Sequence, residues 1–163
     1  MARWQYEYML VPLVKLTEYL GQIPETLSMD DYDRFSWWDG MPEPNVVEIE
    51  KLLPPAEKWS DAVKEWGSDN GNRFSLYYGR DENDKVVGLS TVVVRIDLRR
   101  EFAEVREFVE SIIAMAKENA WGFRAEDSAI LMADYETLAK DINSSNAQNY
   151  MKAFPVASVI DDY

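Results

Sequence analysis

The stretch TVVVRIDLRREFAEVREFVESIIAMAKEN, residues 91–119, places an alternating apolar segment directly before an amphipathic one. Side chains alternate along a strand, so Val92, Val94 and Ile96 share one face of a predicted strand. Beyond residue 100 the apolar side chains recur at helical spacing: Phe102, Val105, Phe108, Val109, Ile112 and Ile113. We therefore predict a strand followed by a long helix, with the apolar stripe of the helix packed on the apolar face of the strand.

Two hairpins are predicted around this strand and helix. Segments 73–78 and 86–97 flank the polar run 80–85, and segments 121–124 and 129–132 flank the pair Glu126-Asp127. A final helical region runs from residue 134 to about 151, with a break near 143–145. Residues 73–163 thus read as ββαββα. This order predicts an α+β fold in which an antiparallel sheet, built from two hairpins, carries helices on one face.

The first 72 residues are interrupted by prolines, which remove backbone donors and disfavour helix at the preceding residue. We expect short helices and ordered loops there. The candidates are a strand over 4–11, a helix over 14–20 that ends at Gly21, and helices over 46–53 and 56–66 separated by Pro54-Pro55. A chain of 163 residues fits a single globular domain, 1–163.

The composition excludes several classes of chemistry. The chain has 17 Lys and Arg against 30 Asp and Glu, a formal charge of −13, and neither His nor Cys. It therefore has no disulfide framework, no Cys or His zinc ligands and no Ser-His-Asp triad, and we expect no cofactor and no metal. With 47% hydrophobic residues the chain should nevertheless fold.

The same composition bears on location and partners. The N-terminus lacks the pattern of a signal peptide, and no apolar run is long enough to cross a membrane, so we expect a cytoplasmic protein. The negative charge disfavours nucleic acid and anionic lipid as ligands. It favours a basic protein partner, which long-range attraction would steer to the chain.

The densest acidic segment, residues 30–39, also carries large aromatic side chains. Such a segment is typical of a recognition surface, where rigid aromatics give contact area and carboxylates meet Lys or Arg. The candidate partner-binding residues are Asp30, Asp31, Asp33, Trp37, Trp38 and Asp39. In the alternative interpretation, the aromatics anchor a loop to the core while the acids face water. The helix face with Glu101, Glu104 and Glu107 has the same two interpretations.

Two other classes of function remain open. Runs 31–36 and 81–84 do not match a calcium loop, because Phe35 stands at a ligand position of the first and Lys85 interrupts the second. A carboxylate-only hydrolase would need two acids that converge in a cleft, one of them with a raised pKa. A structural subunit of a homo-oligomer would need a self-complementary apolar patch.

The segment Arg95-Ile96-Asp97-Leu98-Arg99 joins the central strand to the long helix, and its Arg95 and Asp97 lie two apart on one strand face, where they are able to pair. This segment, the long helix, the second hairpin and a closing part with Ser145, Ala147, Tyr150 and Pro155 resemble a group of small uncharacterised bacterial proteins. The similarity spans roughly residues 52–156, and Pro155 stands one residue beyond its place in that pattern. Small acidic bacterial proteins of this kind resemble immunity partners that neutralise toxins. The resemblance therefore implies an immunity-type inhibitor that blocks a toxin through an acidic and aromatic surface, and it implies no catalytic residues.

Overall fold

The structure is a computed structural model that describes residues 4–57 and 59–145. Its elements follow in chain order: β1 (Gln5–Pro12), α1 (Leu13–Leu20), α2 (Met29–Arg34), α3 (Val47–Leu52), β2 (Val63–Gly67), β3 (Arg73–Arg80), β4 (Val86–Asp97), α4 (Phe102–Asn119), β5 (Trp121–Arg124), β6 (Ile130–Leu131) and α5 (Tyr135–Ser144). The strands form one six-stranded antiparallel sheet in the order β2-β3-β4-β1-β5-β6. The predicted α+β class and both predicted hairpins are confirmed.

The first strand joins the two hairpins. β1 lies between β4 and β5, with Tyr8 opposite Val94 and Leu10 opposite both Val92 and Phe123. The predicted strand over 4–11 and the predicted helix that ends at Gly21 are confirmed. Gly21 adopts a left-handed conformation, φ +79°, which glycine reaches without the steric cost of a side chain.

The predicted helix over 56–66 is wrong, because residues 63–67 form the edge strand β2. Residues 54–56 lie along its outer side, where the Ala56 amide donates to the Glu65 carbonyl at 2.9 Å and the Gly67 amide donates to the Pro54 carbonyl at 2.8 Å. Prolines favour such an extended path over a helical one. The other helix predicted in this region is found as α3.

The core lies between one face of the sheet and α4. Strand residues Tyr8, Val92 and Val94 are fully buried, at most 1% exposed. From α4 the buried side chains are Val105, Phe108, Val109, Ile112, Ile113, Met115 and Ala116, whereas Phe102 is half-buried. The predicted packing of the long helix on the central strand is therefore confirmed, with Phe102 at its margin.

The opposite face of the sheet carries polar side chains. Residues Glu7, Arg95 and Arg73 lie in one row across β1, β4 and β3, and Glu65, Ser75, Val93, Met9 and Arg124 lie in the next. The Arg124 guanidinium donates to the Leu27 carbonyl at 2.8 Å, so the chain around Leu27 covers this face beside β5. Amides of Leu27 and Ile130 also join residues 25–27 to the outer side of β6.

The last helix of the described chain is α5. The Asp134 side chain accepts the Thr137 amide at its start, and Ser145 follows its end. Predicted helix beyond that point, and with it Ala147, Tyr150 and Pro155, lies outside the described residues. In the part of the chain that the structure describes, no helix combines the length and apolar character needed to cross a bilayer.

Candidate functional site

The acidic segment is held in place by a short helix. The Ser28 hydroxyl accepts the Asp31 amide at 3.1 Å and so caps α2. Asp30, Asp33 and Asp39 are exposed, while Asp31 is half-buried and lies 3.7 Å from the Arg34 guanidinium. Carboxylates near a helix N-terminus interact favourably with the positive end of the helix dipole, so Asp30 and Asp31 also stabilise α2.

Trp37 and Trp38 are buried, at 2% and 1% exposure, and this corrects their prediction as partner-binding residues. The Trp37 indole donates to the Tyr32 carbonyl at 2.7 Å and packs edge-on against Tyr19, with 5.4 Å between ring centroids. Trp38 packs edge-on against Trp121 at 5.1 Å. Both indoles thus bind the segment to the core and offer no contact area to a partner. The role of the four aspartates in partner binding remains a prediction.

A buried carboxylate that sequence analysis missed lies on the polar face of the sheet. Glu65, whose side chain is only 4% exposed, accepts hydrogen bonds from four side chains. The donors are Arg73 at 2.5 Å, Ser75 at 3.2 Å, and Tyr77 and Trp59 at 3.3 Å each. Burial and the Glu65 carboxylate raise the pKa of Tyr77, which keeps its hydroxyl a donor. The Glu65 carboxylate therefore holds side chains of β3 and of the loop before β2 in place on this face of the sheet.

Trp59 combines a fixed position with exposure. Its side chain is 67% exposed, the largest fraction among the exposed large hydrophobic residues that the structure describes, although its indole nitrogen is held by Glu65. Trp, Tyr and Arg are the residue types that dominate binding energy at protein interfaces. Trp59, Tyr77 and Arg73 meet around one carboxylate, so the edge of this face has the composition of an interaction surface.

The Arg95 and Asp97 side chains do not pair with each other. Arg95 lies directly opposite Glu7 and binds its carboxylate at 2.8 Å, because Glu7 is its register partner on β1. Asp97 is 2% exposed and binds the Arg99 guanidinium at 3.1 Å. Arg99 in turn lies over the Trp4 ring, 4.0 Å from its centroid. The segment 95–99 thus ties the end of β4 to the chain start and is structural.

A second acidic site, also missed, lies at the other end of the sheet. The hydroxyls of Tyr6 and Tyr8 donate to the same Asp141 carboxylate oxygen on α5, at 2.5 and 2.7 Å. Burial and the Asp141 charge raise the pKa of both tyrosines far above the usual value. Asp141, Glu126 and Asp127 line a cavity of about 320 Å³, where burial raises the pKa of Glu126. Three acids in one cavity, one of them with a raised pKa, are typical of sites of carboxylate chemistry.

Metal ligands are not grouped in the described ranges. Within residues 4–57 and 59–145 no three acidic side chains lie close enough together to hold an ion. In the run 81–84 the Asp81 carboxylate accepts the amides of Asn83 and Lys85 at 2.9 and 3.0 Å. Asp81 thus closes the hairpin loop between β3 and β4.

Comparison with protein-family models, curated proteins and solved structures finds no match for this chain.

Proposed function

We propose that this chain is a binding protein for a basic protein partner, an immunity-type inhibitor that blocks a toxin by covering it. The observation that carries the proposal is Trp59. Its indole is mostly in solvent, while its N–H is fixed on a carboxylate that is itself almost fully buried. A large aromatic side chain held in one position gives contact area at low cost in conformational entropy.

The acidic segment belongs to the same side of the sheet as Trp59. Glu65 and Arg124 lie in one row on one face, and Arg124 holds the Leu27 carbonyl. The capping residue Ser28 follows Leu27 directly and begins the acidic helix α2. The aspartates and Trp59 therefore flank the polar face from opposite ends, and one partner of sufficient size would contact both.

The two parts would act at different stages of binding. Exposed carboxylates attract a basic partner over a distance of about 8 to 10 Å, the Debye length at moderate salt, and so raise the association rate. Once the partner is in contact, burial of Trp59 lowers the dissociation rate. Inhibition then results from steric cover of the toxin, without any chemical step.

The experiment is capture of the partner by the immobilised chain at low salt, followed by binding kinetics. Trp59→Ala should raise the dissociation rate about 30-fold, the equivalent of 2 kcal/mol at an interface hot spot. The fourfold variant Asp30→Asn, Asp31→Asn, Asp33→Asn and Asp39→Asn should lower the association rate. Added salt should remove its difference from the wild-type chain.

A matched control neutralises four exposed acids elsewhere, at Glu48, Glu50, Glu118 and Glu136, with the same change in net charge. This control should affect the association rate less than the change at 30, 31, 33 and 39. Equal effects would show that only net charge matters. Wild-type dissociation of Trp59→Ala would refute the anchor, and the absence of any captured basic protein would refute the function.

The cavity with Asp141 and Glu126 favours a second candidate, a carboxylate-only hydrolase. Asp141 accepts hydrogen bonds from two tyrosine hydroxyls, whereas burial raises the pKa of Glu126 and so favours its protonated form. Pairs of acids in such different environments serve as charged group and general acid in glycoside hydrolysis. A panel of 4-nitrophenyl glycosides tests this candidate. Turnover that Glu126→Gln abolishes would support it, and no turnover by the wild-type chain would reject it for these substrates.

A further inference from the structure

A groove with a volume of about 410 Å³ lies away from the polar face, between α3, β2 and α4. Its apolar lining comes from Leu52, Leu53 and Pro54 at the end of α3 and from Phe108 of α4. Leu52 and Leu53 are half-buried, so their side chains keep apolar surface available to a ligand. The volume falls within the roughly 300 to 1,000 Å³ of pockets that take small ligands.

The charged side chains of the groove lie just before α4 and along its first turns, and they differ in whether they are paired. Arg100 and Glu104 line it near the start of α4 and pair with each other at 3.9 Å, and Arg100 also lies 3.7 Å from the buried Asp97. Glu107 lines the groove one turn further along. The neighbouring Arg106 binds Glu110 at 3.0 Å, so within residues 4–57 and 59–145 Glu107 keeps no cation partner.

We infer that this groove binds a short segment of a basic protein in which an aliphatic side chain stands next to Lys or Arg. The aliphatic side chain would cover Leu52, Leu53 and Pro54, and the cation would meet the unpaired Glu107 carboxylate. Charge complementarity selects this occupant, because an acidic segment would be repelled by Glu107 and by the overall charge of −13. The inference rests on the proposed function, since it adds a second contact for the same basic partner.

The test uses a defined peptide and needs no natural partner. The probe is acetyl-Gly-Leu-Arg-Gly-amide, titrated into ¹⁵N-labelled protein at low salt, with acetyl-Gly-Leu-Glu-Gly-amide as its counterpart. We expect amide shifts at Leu53, Ser68 and Glu107, with a Kd near or below about 1 mM for the basic peptide only. Glu107→Gln should weaken binding about two- to fivefold, the range of an exposed ion pair. Ser68→Lys, at the exposed rim, should abolish binding by repulsion and by bulk.

The control variant is Glu118→Gln, an exposed position on the same helix eleven residues beyond Glu107 and outside the groove. It should leave the peptide affinity unchanged. Equal binding of the acidic peptide, or shifts outside the groove, would overturn the inference, as would equal losses from Glu107→Gln and Glu118→Gln. The peptide titration could contradict the groove while neutralisation of Asp30, Asp31, Asp33 and Asp39 still slows capture of a basic protein. In that case the groove is not a binding site, and the proposed function stands.

Discussion

Replacement of Glu65 is the sharpest test of the polar face. Glu65→Ala removes the acceptor of four hydrogen bonds and leaves Arg73, 13% exposed, with Asp69 as its remaining carboxylate partner. Loss of one partner of a buried ion pair costs about 3 to 5 kcal/mol, since the other charge stays desolvated. Because Asp69 still pairs with Arg73, we expect a loss near 3 kcal/mol.

Glu7→Ala is the matched control, because it breaks one ion pair on the same face. Glu7 and Arg95 are 27% and 28% exposed, so water screens their attraction. The expected loss is about 0.2 to 1 kcal/mol. Urea unfolding followed by circular dichroism gives both values. A loss below 1 kcal/mol for Glu65→Ala, or equal losses for both variants, would refute the view that Glu65 organises this face.

The double variant Glu65→Leu with Arg73→Met separates charge from packing. If the loss in Glu65→Ala comes from the stranded guanidinium, removal of both charges should restore most of the stability. A double variant as unstable as Glu65→Ala would instead assign the loss to packing or to the hydroxyl and indole donors.

Three further changes, one of them with a matched control, test the fold and the second acidic site. Phe108→Ala should cost about 3 to 5 kcal/mol in urea unfolding, because the ring is 1% exposed, and a loss below 1 kcal/mol would contradict its place in the core. Gly67→Ala should destabilise by more than about 1 kcal/mol, because φ is +99° and a Cβ would stand 1.9 Å from the Asn72 carbonyl oxygen, whereas Gly88→Ala has open space and should be neutral or stabilising in the same assay. Burial raises the pKa of Glu126, so its contribution to stability is present below its unfolded pKa of about 4.3 and is lost as pH rises through the higher folded pKa. Glu126→Gln should therefore reduce the fall in melting temperature above pH 4.3, and an unchanged profile would contradict this assignment.

Elements with a clean period could be predicted from the sequence. The alternation through Val92, Val94 and Ile96 and the helical spacing around Phe108 identify β4 and α4, since one pattern per element is enough there. The segment 56–66 misled the prediction because Ala56, Trp59, Val63 and Trp66 recur at helical spacing. Pairing with β3, which a local pattern does not contain, decides its structure instead.

The candidate sites depend even more on long-range contacts. Trp38 is buried against Trp121, a ring far along the chain, and Trp37 packs against Tyr19 of α1. Local composition does not distinguish such packing from an exposed cluster. Glu65 could have been found only from the β2–β3 pairing, which sets it opposite Ser75. Tyr6 and Tyr8 meet Asp141 across more than 130 residues, and no spacing in the sequence indicates that.

The segments 54–56 and 25–27 lie along the outer strands β2 and β6, and they determine how the protein can be recognised. Their amides and carbonyls take up outward hydrogen bonds of Glu65, Gly67, Ser128 and Ile130, which an added strand would otherwise use. A partner is thereby prevented from extending the sheet at these positions, and so is a second copy of the chain. At these positions recognition is left to side chains, where single substitutions change specificity without any change in the backbone.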